Sequence, residues 1–284
     1  MDLLWLPFSL ATIFFYGVGQ VFAKETRTDV SSGSLLLLLG GNMFVMWLVY
    51  WFLFRQPGAF SSGVWLQAGV GAALSGFAYV FYYESLKHGK VSIVGTIAGA
   101  YAPWTVILAV LFLGETMSLG EAAGVTLVVA GMLIFAYSAN GENSKRTELI
   151  GIAFATVSLF FWGTSAVVAK GAIDKIGNTN FVGVYALVVP AIWIAYWLGR
   201  DKGRFEMPKA NINILELSML FLALGGITYY LAIQGGNVSI VSPVTNLYPL
   251  VTIAVAKIRL KESLSVRQII ALAMLFVSIP LFSL

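Results

Sequence analysis

The chain is a succession of long apolar runs parted by short polar breaks. Runs of roughly 20 apolar residues, the length a helix needs to cross a bilayer, fall at about 4–24, 34–54, 64–86, 91–113 and 119–138, and again at about 149–170, 180–199, 214–234, 238–258 and 266–283. Polar stretches such as Gln56–Gly63 and Ser138–Glu148 separate them, and Arg200–Asn213 is the longest and most charged. In lipid every backbone group must be satisfied within its own segment, and these runs are too long and uniform for barrel strands. The pattern therefore predicts an all-α membrane protein with ten transmembrane helices. Ser118-Leu-Gly-Glu121 and Ser265-Val-Arg-Gln268 read as capping boxes opening spans 5 and 10. Glu115 and Glu262, just before them, read as solvated loop carboxylates.

The same pattern occurs twice. Val91-Ser92-Ile93-Val94 returns letter for letter as Val238-Ser239-Ile240-Val241, 147 residues later. At that spacing Tyr82-Tyr83 falls on Tyr229-Tyr230, Tyr101 on Tyr248, Glu115 on Glu262 and Ser118 on Ser265. Nearer each start, Phe15-Tyr-Gly-Val-Gly-Gln-Val-Phe-Ala-Lys24 lines up with Phe161-Trp-Gly-Thr-Ser-Ala-Val-Val-Ala-Lys170, 146 apart. A period of half the chain is a duplicated unit rather than a solenoid repeat. It divides the chain at 1–140 and 141–284, five spans to each half.

Composition narrows the chemistry. Hydrophobic residues make up 59% and charged residues 11%, against roughly a quarter charged in a soluble domain. With no cysteine and a single histidine, His88, thiolate metal sites, disulfides and a Ser-His-Asp triad are excluded. No metal and no cofactor are expected, and no enzyme. The net charge of +4 reads as loop bias in a membrane protein, not as a nucleic-acid surface. The n-region Met1-Asp2 has no basic residue, and no small-residue cleavage pattern follows before Lys24. The first run thus reads as a retained span.

Charge also gives orientation. The connections after spans 1, 3, 5, 7 and 9 hold Lys24, Arg27, Lys87, Lys90, Lys145, Arg146, Arg200, Lys202, Arg204, Lys209, Lys257, Arg259, Lys261 and Arg267, whereas the opposite side holds Arg55, Lys170 and Lys175. This asymmetry places the first set in the cytoplasm and both termini outside. Five spans is an odd number, so the second half enters the membrane upside down. Two inverted halves can rock about a shared central site, opening it to each side in turn. That points to transport of a small molecule.

Ten spans in inverted halves, the aromatic-Gly start of spans 1 and 6, and the V-S-I-V segment followed by L-x-E-x-x-S resemble the drug/metabolite transporter superfamily, in its EamA-type branch. The resemblance covers nearly the whole chain, twice over. It implies a solute carrier with a central cavity lined by spans 1, 3, 4, 6, 8 and 9. Spans 5 and 10 would pack peripherally or at a dimer interface, leaving monomer or homodimer open. Many members of the superfamily have both termini in the cytoplasm, the reverse of what the charges give here.

Polar and aromatic groups within spans are expensive in lipid and should face a cavity or another helix. The expected substrate-binding set is Tyr16 and Gln20 from span 1, Tyr79, Tyr82 and Tyr83 from span 3, and Tyr101 and Trp104 from span 4. From the second half come Trp162, Thr164, Tyr229, Tyr230, Asn246 and Tyr248. Ser75, Thr96, Ser165, Thr228, Gln234, Ser242 and Thr252 lie on the same spans. A cage of Tyr and Trp suits an amphipathic solute: an aromatic or apolar amino acid, or a cation held over ring faces. Lys24, Glu84, Lys170, Pro243 and Pro249 are read as gate or structural residues. Glu84 would pair with Lys87 or Lys24. Lys24 and Lys170 close equivalent helices, where snorkelling is the plain reading. Pro243 and Pro249 would break span 9, and Pro103 span 4. No mid-helix carboxylate is found, which favours facilitated diffusion or exchange. A sugar or choline-like cation carrier and a proton-coupled exporter remain as alternatives. The setting expected is a plasma membrane.

Overall fold

The computed structural model describes residues 4–25, 30–57, 61–89, 94, 97–138, 146–207, 211–260 and 266–281. The first half holds α1 (Trp5–Glu25), α2 (Ser32–Phe54), α3 (Ser62–His88), α4 (Ala102–Leu108, prolonged by a π turn over Ala109–Leu113) and α5 (Leu119–Ser138). A continuous helical stretch, Arg146–Arg200, follows. It is broken by a non-helical Gly177 with φ 78° and ψ 155° into α6 (146–176) and α7 (178–200). Then come α8 (Ile212–Gly235), α9 (Val238–Thr245), α10 (Tyr248–Leu260) and α11 (Val266–Leu281). The left-handed φ at Gly177 needs no side chain out of the way. It lets span 6 turn into span 7 through one residue.

Apolar side chains such as Phe14, Phe52, Leu66, Leu111, Phe112 and Phe276 cover the outside, as a lipid-facing surface requires. The chain is an all-α multi-pass membrane protein of ten spans in two inverted five-helix repeats. Spans 4 and 9 are each discontinuous. Span 9 breaks at Asn246-Leu247, between α9 and α10. The prolines lie next to these breaks. Pro243 sits inside α9 without ending it, and Pro249 is the second residue of α10. Pro103 likewise falls in the first turn of α4. Proline is tolerated in a first turn, where its missing N–H has no intrahelical partner to lose. Two of the three therefore start helices.

The inverted symmetry is visible bond by bond. Ser218 Oγ on α8 donates to Gly19 O on α1 at 2.9 Å, and Ser165 Oγ on α6 donates to Gly71 O on α3 at 2.7 Å. Glycine and serine trade places between the two copies of this contact. Trp47 Nε1 on α2 donates to Ala223 O at 2.9 Å, and Trp193 Nε1 on α7 donates to Gly76 O, also at 2.9 Å. Gly17 on α1 faces Tyr248 O and Val251 of α10, while Gly163 on α6 faces Tyr101 O and Trp104. Thr252 Oγ1 reaches Gly17 O at 3.2 Å and Thr105 Oγ1 reaches Gly163 O at 3.5 Å. Each such interhelical bond contributes about 0.6 kcal/mol on average. Their pairing is what locks one half to the other.

This also explains the aromatic-Gly start of spans 1 and 6. The aromatic residue faces inward and the glycine lets the broken span pack backbone to backbone. Spans 5 and 10 stand apart from this core: Gly131 of α5 packs against Ala271 O and Leu275 of α11. The Ser118 capping box is formed, with Ser118 N to Glu121 Oε2 at 2.6 Å and Glu121 N to Ser118 Oγ at 3.1 Å. Its counterpart at Ser265, together with Glu262, Val91-Ser92-Ile93, Thr96 and the side chain of Lys24, lies outside the described residues.

Candidate functional site

Between the halves lies a cavity of about 720 Å³. Its walls come from α1 (Tyr16, Gln20), α3 (Ser75, Tyr79, Tyr82, Tyr83), span 4 (Gly99, Tyr101), α6 (Trp162, Ser165, Ala166), α8 (Leu215, Ser218, Met219, Leu222, Gly226, Tyr229, Tyr230) and α10 (Tyr248, Thr252). Val30, Ser32, Leu35, Leu86 and Lys87 form its rim. They lie where α2 begins and α3 ends, so the cavity opens on the face that carries most Lys and Arg. At the other end the floor is aromatic. Trp47 packs tilted against Tyr185 at 4.5 Å, and Phe181, Tyr185 and Tyr230 lie within 4.8–6.2 Å of one another.

Trp162 is the hub of one wall, with Tyr79, Tyr82 and Tyr101 at 5.1, 5.4 and 6.2 Å. The repeat-related pair Tyr16–Tyr248 meets edge-on at 6.1 Å. Edge-to-face rings at these separations are favourable and hold each other in place. Small residues make room: a side chain at Gly225 would meet the Tyr16 ring, and one at Gly226 the Trp47 indole. Ser75 Oγ is bound to Tyr185 OH at 2.7 Å, and Ser165 and Ser218 are spent on backbone carbonyls. The hydroxyls of Tyr16, Tyr79, Tyr83 and Tyr248 and the Gln20 amide take no hydrogen-bond partner among the described residues. They are the polar groups left to meet a solute. Among the described residues Lys87 is the one charged residue on the lining, at the rim, 3.3 Å from Glu84.

A family model for EamA-like transporters matches residues 3–137 and again 149–284. The chain belongs to the EamA-like transporter family. It is 24% identical over 174 residues to an uncharacterized transporter, YvbV, of Bacillus subtilis, a match covering 60% of this chain and 56% of that protein. It is 25% identical over 142 residues to solute carrier family 35 member F5 of Mus musculus, covering 46% of this chain and 26% of that one. A crystal structure at 16% identity matches over 96% of this chain and 94% of its own with a TM-score of 0.78. That likeness concerns the fold.

In this EamA-like chain, ten of the residues expected to bind solute line the cavity: Tyr16, Gln20, Tyr79, Tyr82, Tyr83, Tyr101, Trp162, Tyr229, Tyr230 and Tyr248. Three expected there sit off it. Trp104 Nε1 donates to Thr164 Oγ1 at 3.1 Å, so these two satisfy each other in the contact between α4 and α6. Asn246 is buried in the break of span 9, 1% exposed. Lys170 pairs with Asp174 at 2.7 Å. Glu84 binds Lys87, Tyr196 OH and Arg200 (3.6 Å), tying the end of α3 to the end of α7. Glu115, read as a solvated loop carboxylate, is in fact a helix cap. Its Oε1 and Oε2 accept the backbone N–H groups of Val238 and Ser239 at 2.9 and 2.8 Å.

Sequence reading missed the floor residues Trp47 and Tyr185. It also missed the pair Trp47/Trp193, which the 146-residue spacing marks. Glu216 lies near the start of α8, four residues after Ile212. Its Oε2 accepts from Asn42 Nδ2 at 2.9 Å. Asn42 lies ten residues into α2, about 15 Å along it at 1.5 Å per residue. This bond joins the two repeats, and Glu216 does not line the cavity. The repeat places Gly69 and Val188 at the equivalent positions, so only one side carries it.

Proposed function

We propose that this chain is an alternating-access carrier of a small amphipathic organic solute, an amino acid or a molecule of similar character, in a plasma membrane. It moves solute by facilitated diffusion or exchange and performs no covalent chemistry. The observation that carries this reading is the 720 Å³ aromatic cavity at the meeting of two inverted repeats. Its volume falls in the range of small-molecule pockets, about 300–1,000 Å³. Its ring faces suit an apolar body, and its unpaired hydroxyls and Gln20 suit a polar end. No carboxylate lines it among the described residues, which argues against a solute that needs a buried counter-ion. The Lys/Arg excess on the open side supports a cytoplasmic opening in this state, with both termini outside.

Counterflow into proteoliposomes tests the reading. Saturable exchange of radiolabelled amino acids is expected. Tyr79→Ala and Trp162→Ala should raise the half-saturation concentration more than they lower the folded yield. No saturable flux for amino acids, amines, sugars or nucleotides would sink the proposal. A second reading, a choline-like cation held over ring faces, is favoured by Trp162 with three tyrosines around it. Displacement by choline but not by apolar amino acids would select it.

A further inference from the structure

Beyond the cavity floor, on the face opposite the opening, lies a recess of about 390 Å³ lined by Glu115, Thr116, Lys170, Asp174 and Asn237. Between recess and cavity stands α9. All eight of its residues are buried, and it is set off from α10 by the break at Asn246-Leu247. Its sequence carries a polar stripe. Ser239, Ser242 and Asn246 follow one another at i, i+3 and i+7, on one helical face. The three are 0%, 0% and 1% exposed. Ser242 Oγ is bound to Tyr229 OH at 2.9 Å, and Tyr229 lines the cavity. Ser239 Oγ and both polar atoms of the Asn246 amide have no hydrogen-bond partner among the described residues. Buried polar groups are ordinarily satisfied, and leaving one unpaired costs free energy. Three such atoms lie on one stripe, which reaches the cavity wall through Tyr229 and the recess through Asn237 at the head of α9.

Glu115 is what holds this segment. It lies in the first repeat, and the amides it accepts, Val238 and Ser239, open α9 in the second. A bidentate carboxylate on two N-terminal amides is a charge-assisted contact, helped by the helix dipole. It ties the repeats together on the closed face.

We propose that the Ser239–Ser242–Asn246 stripe is a second solute-contacting surface, the outer half of the path, sealed in this state by Glu115. The polar end of the solute, or water travelling with it, takes the hydrogen bonds that Ser239 and Asn246 lack here. Release of the Glu115 hold lets α9 swing at the 246–247 break and joins the stripe to the recess. This rests on the alternating-access reading and adds to it the residues that form the exit.

The chain has no cysteine, so single cysteines report directly. Ser242→Cys, Leu86→Cys at the open rim and Thr116→Cys in the recess are reconstituted and labelled with a membrane-impermeant maleimide from each face. Leu86→Cys should label from the open face and Thr116→Cys from the other, with Ser242→Cys protected. Adding Glu115→Gln should raise Ser242→Cys labelling from the recess side at least tenfold and lower Leu86→Cys labelling. Val238→Pro is the independent variant. It removes one amide donor at the first helical position, where proline is tolerated, and Asn237 before it is already extended (φ −67°, ψ 133°). It should act in the same direction while the carboxylate stays intact.

If Leu86→Cys changes accessibility with solute or with Glu115→Gln while Ser242→Cys stays protected from both faces, the stripe is packing and the proposal falls. If neither position responds to anything, the alternating-access reading falls first and takes this one with it. Loss of folding in one variant, judged by elution and unfolding temperature, leaves the other to decide.

Discussion

Adding one methyl group at Gly17 is the sharpest test of how the broken span meets its neighbour. A Cβ built there would lie 2.5 Å from Val251 Cβ, 2.7 Å from Val251 Cγ1 and 2.9 Å from Tyr248 O. Ordinary carbon contacts sit near 3.5–4.0 Å, so α1 and α10 must part by about 1 Å or more. Val251 Cβ is fixed to the backbone, and no rotamer can move it aside. Overpacking of this kind costs about 1–3 kcal/mol. The helix preference of alanine over glycine returns up to about 1 kcal/mol. A net loss of about 1–2 kcal/mol is therefore expected for Gly17→Ala.

Gly41→Ala and Gly69→Ala provide the contrast, because a Cβ at either meets nothing within 4 Å. They should be neutral or slightly stabilising. Denaturant unfolding in detergent reads all three. The Tyr16–Tyr248 pair straddles the widened contact, so solute affinity should fall in Gly17→Ala alone. If Gly17→Ala unfolds within about 0.3 kcal/mol of Gly41→Ala, the close approach of α1 and α10 described above is wrong.

The inverted repeat makes a second, paired prediction. Trp47→Phe and Trp193→Phe each lose one buried indole bond of 2.9 Å, so unfolding should show similar losses of about 1 kcal/mol, and a tenfold disparity in equilibrium constant would contradict the symmetry. Asn42→Val strips the Glu216 carboxylate of its donor and should cost about 1–2 kcal/mol. Adding Glu216→Leu should recover part of it, since an apolar pair can replace a partly buried polar one, and a double-mutant cycle measures the coupling. Glu84→Gln weakens the contacts to Lys87 and Arg200 that join α3 to α7. Solvent reaches both cations, so a loss below about 1 kcal/mol is expected, seen as a small fall in unfolding temperature.

The number of spans, the duplication and the odd count that forces inversion were all readable along the chain. Each depends only on local hydrophobicity or on matching letters at a fixed spacing. Most of the aromatic lining was legible for a related reason: tyrosine is costly against lipid, so Tyr79, Tyr82 and Tyr229 had few places to point. What local pattern could not give was which polar group meets which. Trp104 and Thr164 satisfy each other from helices 60 residues apart, and nothing in either span foretells the other. Glu115 looked like a loop acid until the fold brought it to two amides 123 and 124 residues away. Glu216 lies near the start of α8, as an acid in a membrane helix should, but its Asn42 partner on α2 could not be foreseen. Hydrophobicity acts residue by residue and survives in the sequence, whereas hydrogen bonds across repeats exist only once the helices have been set side by side.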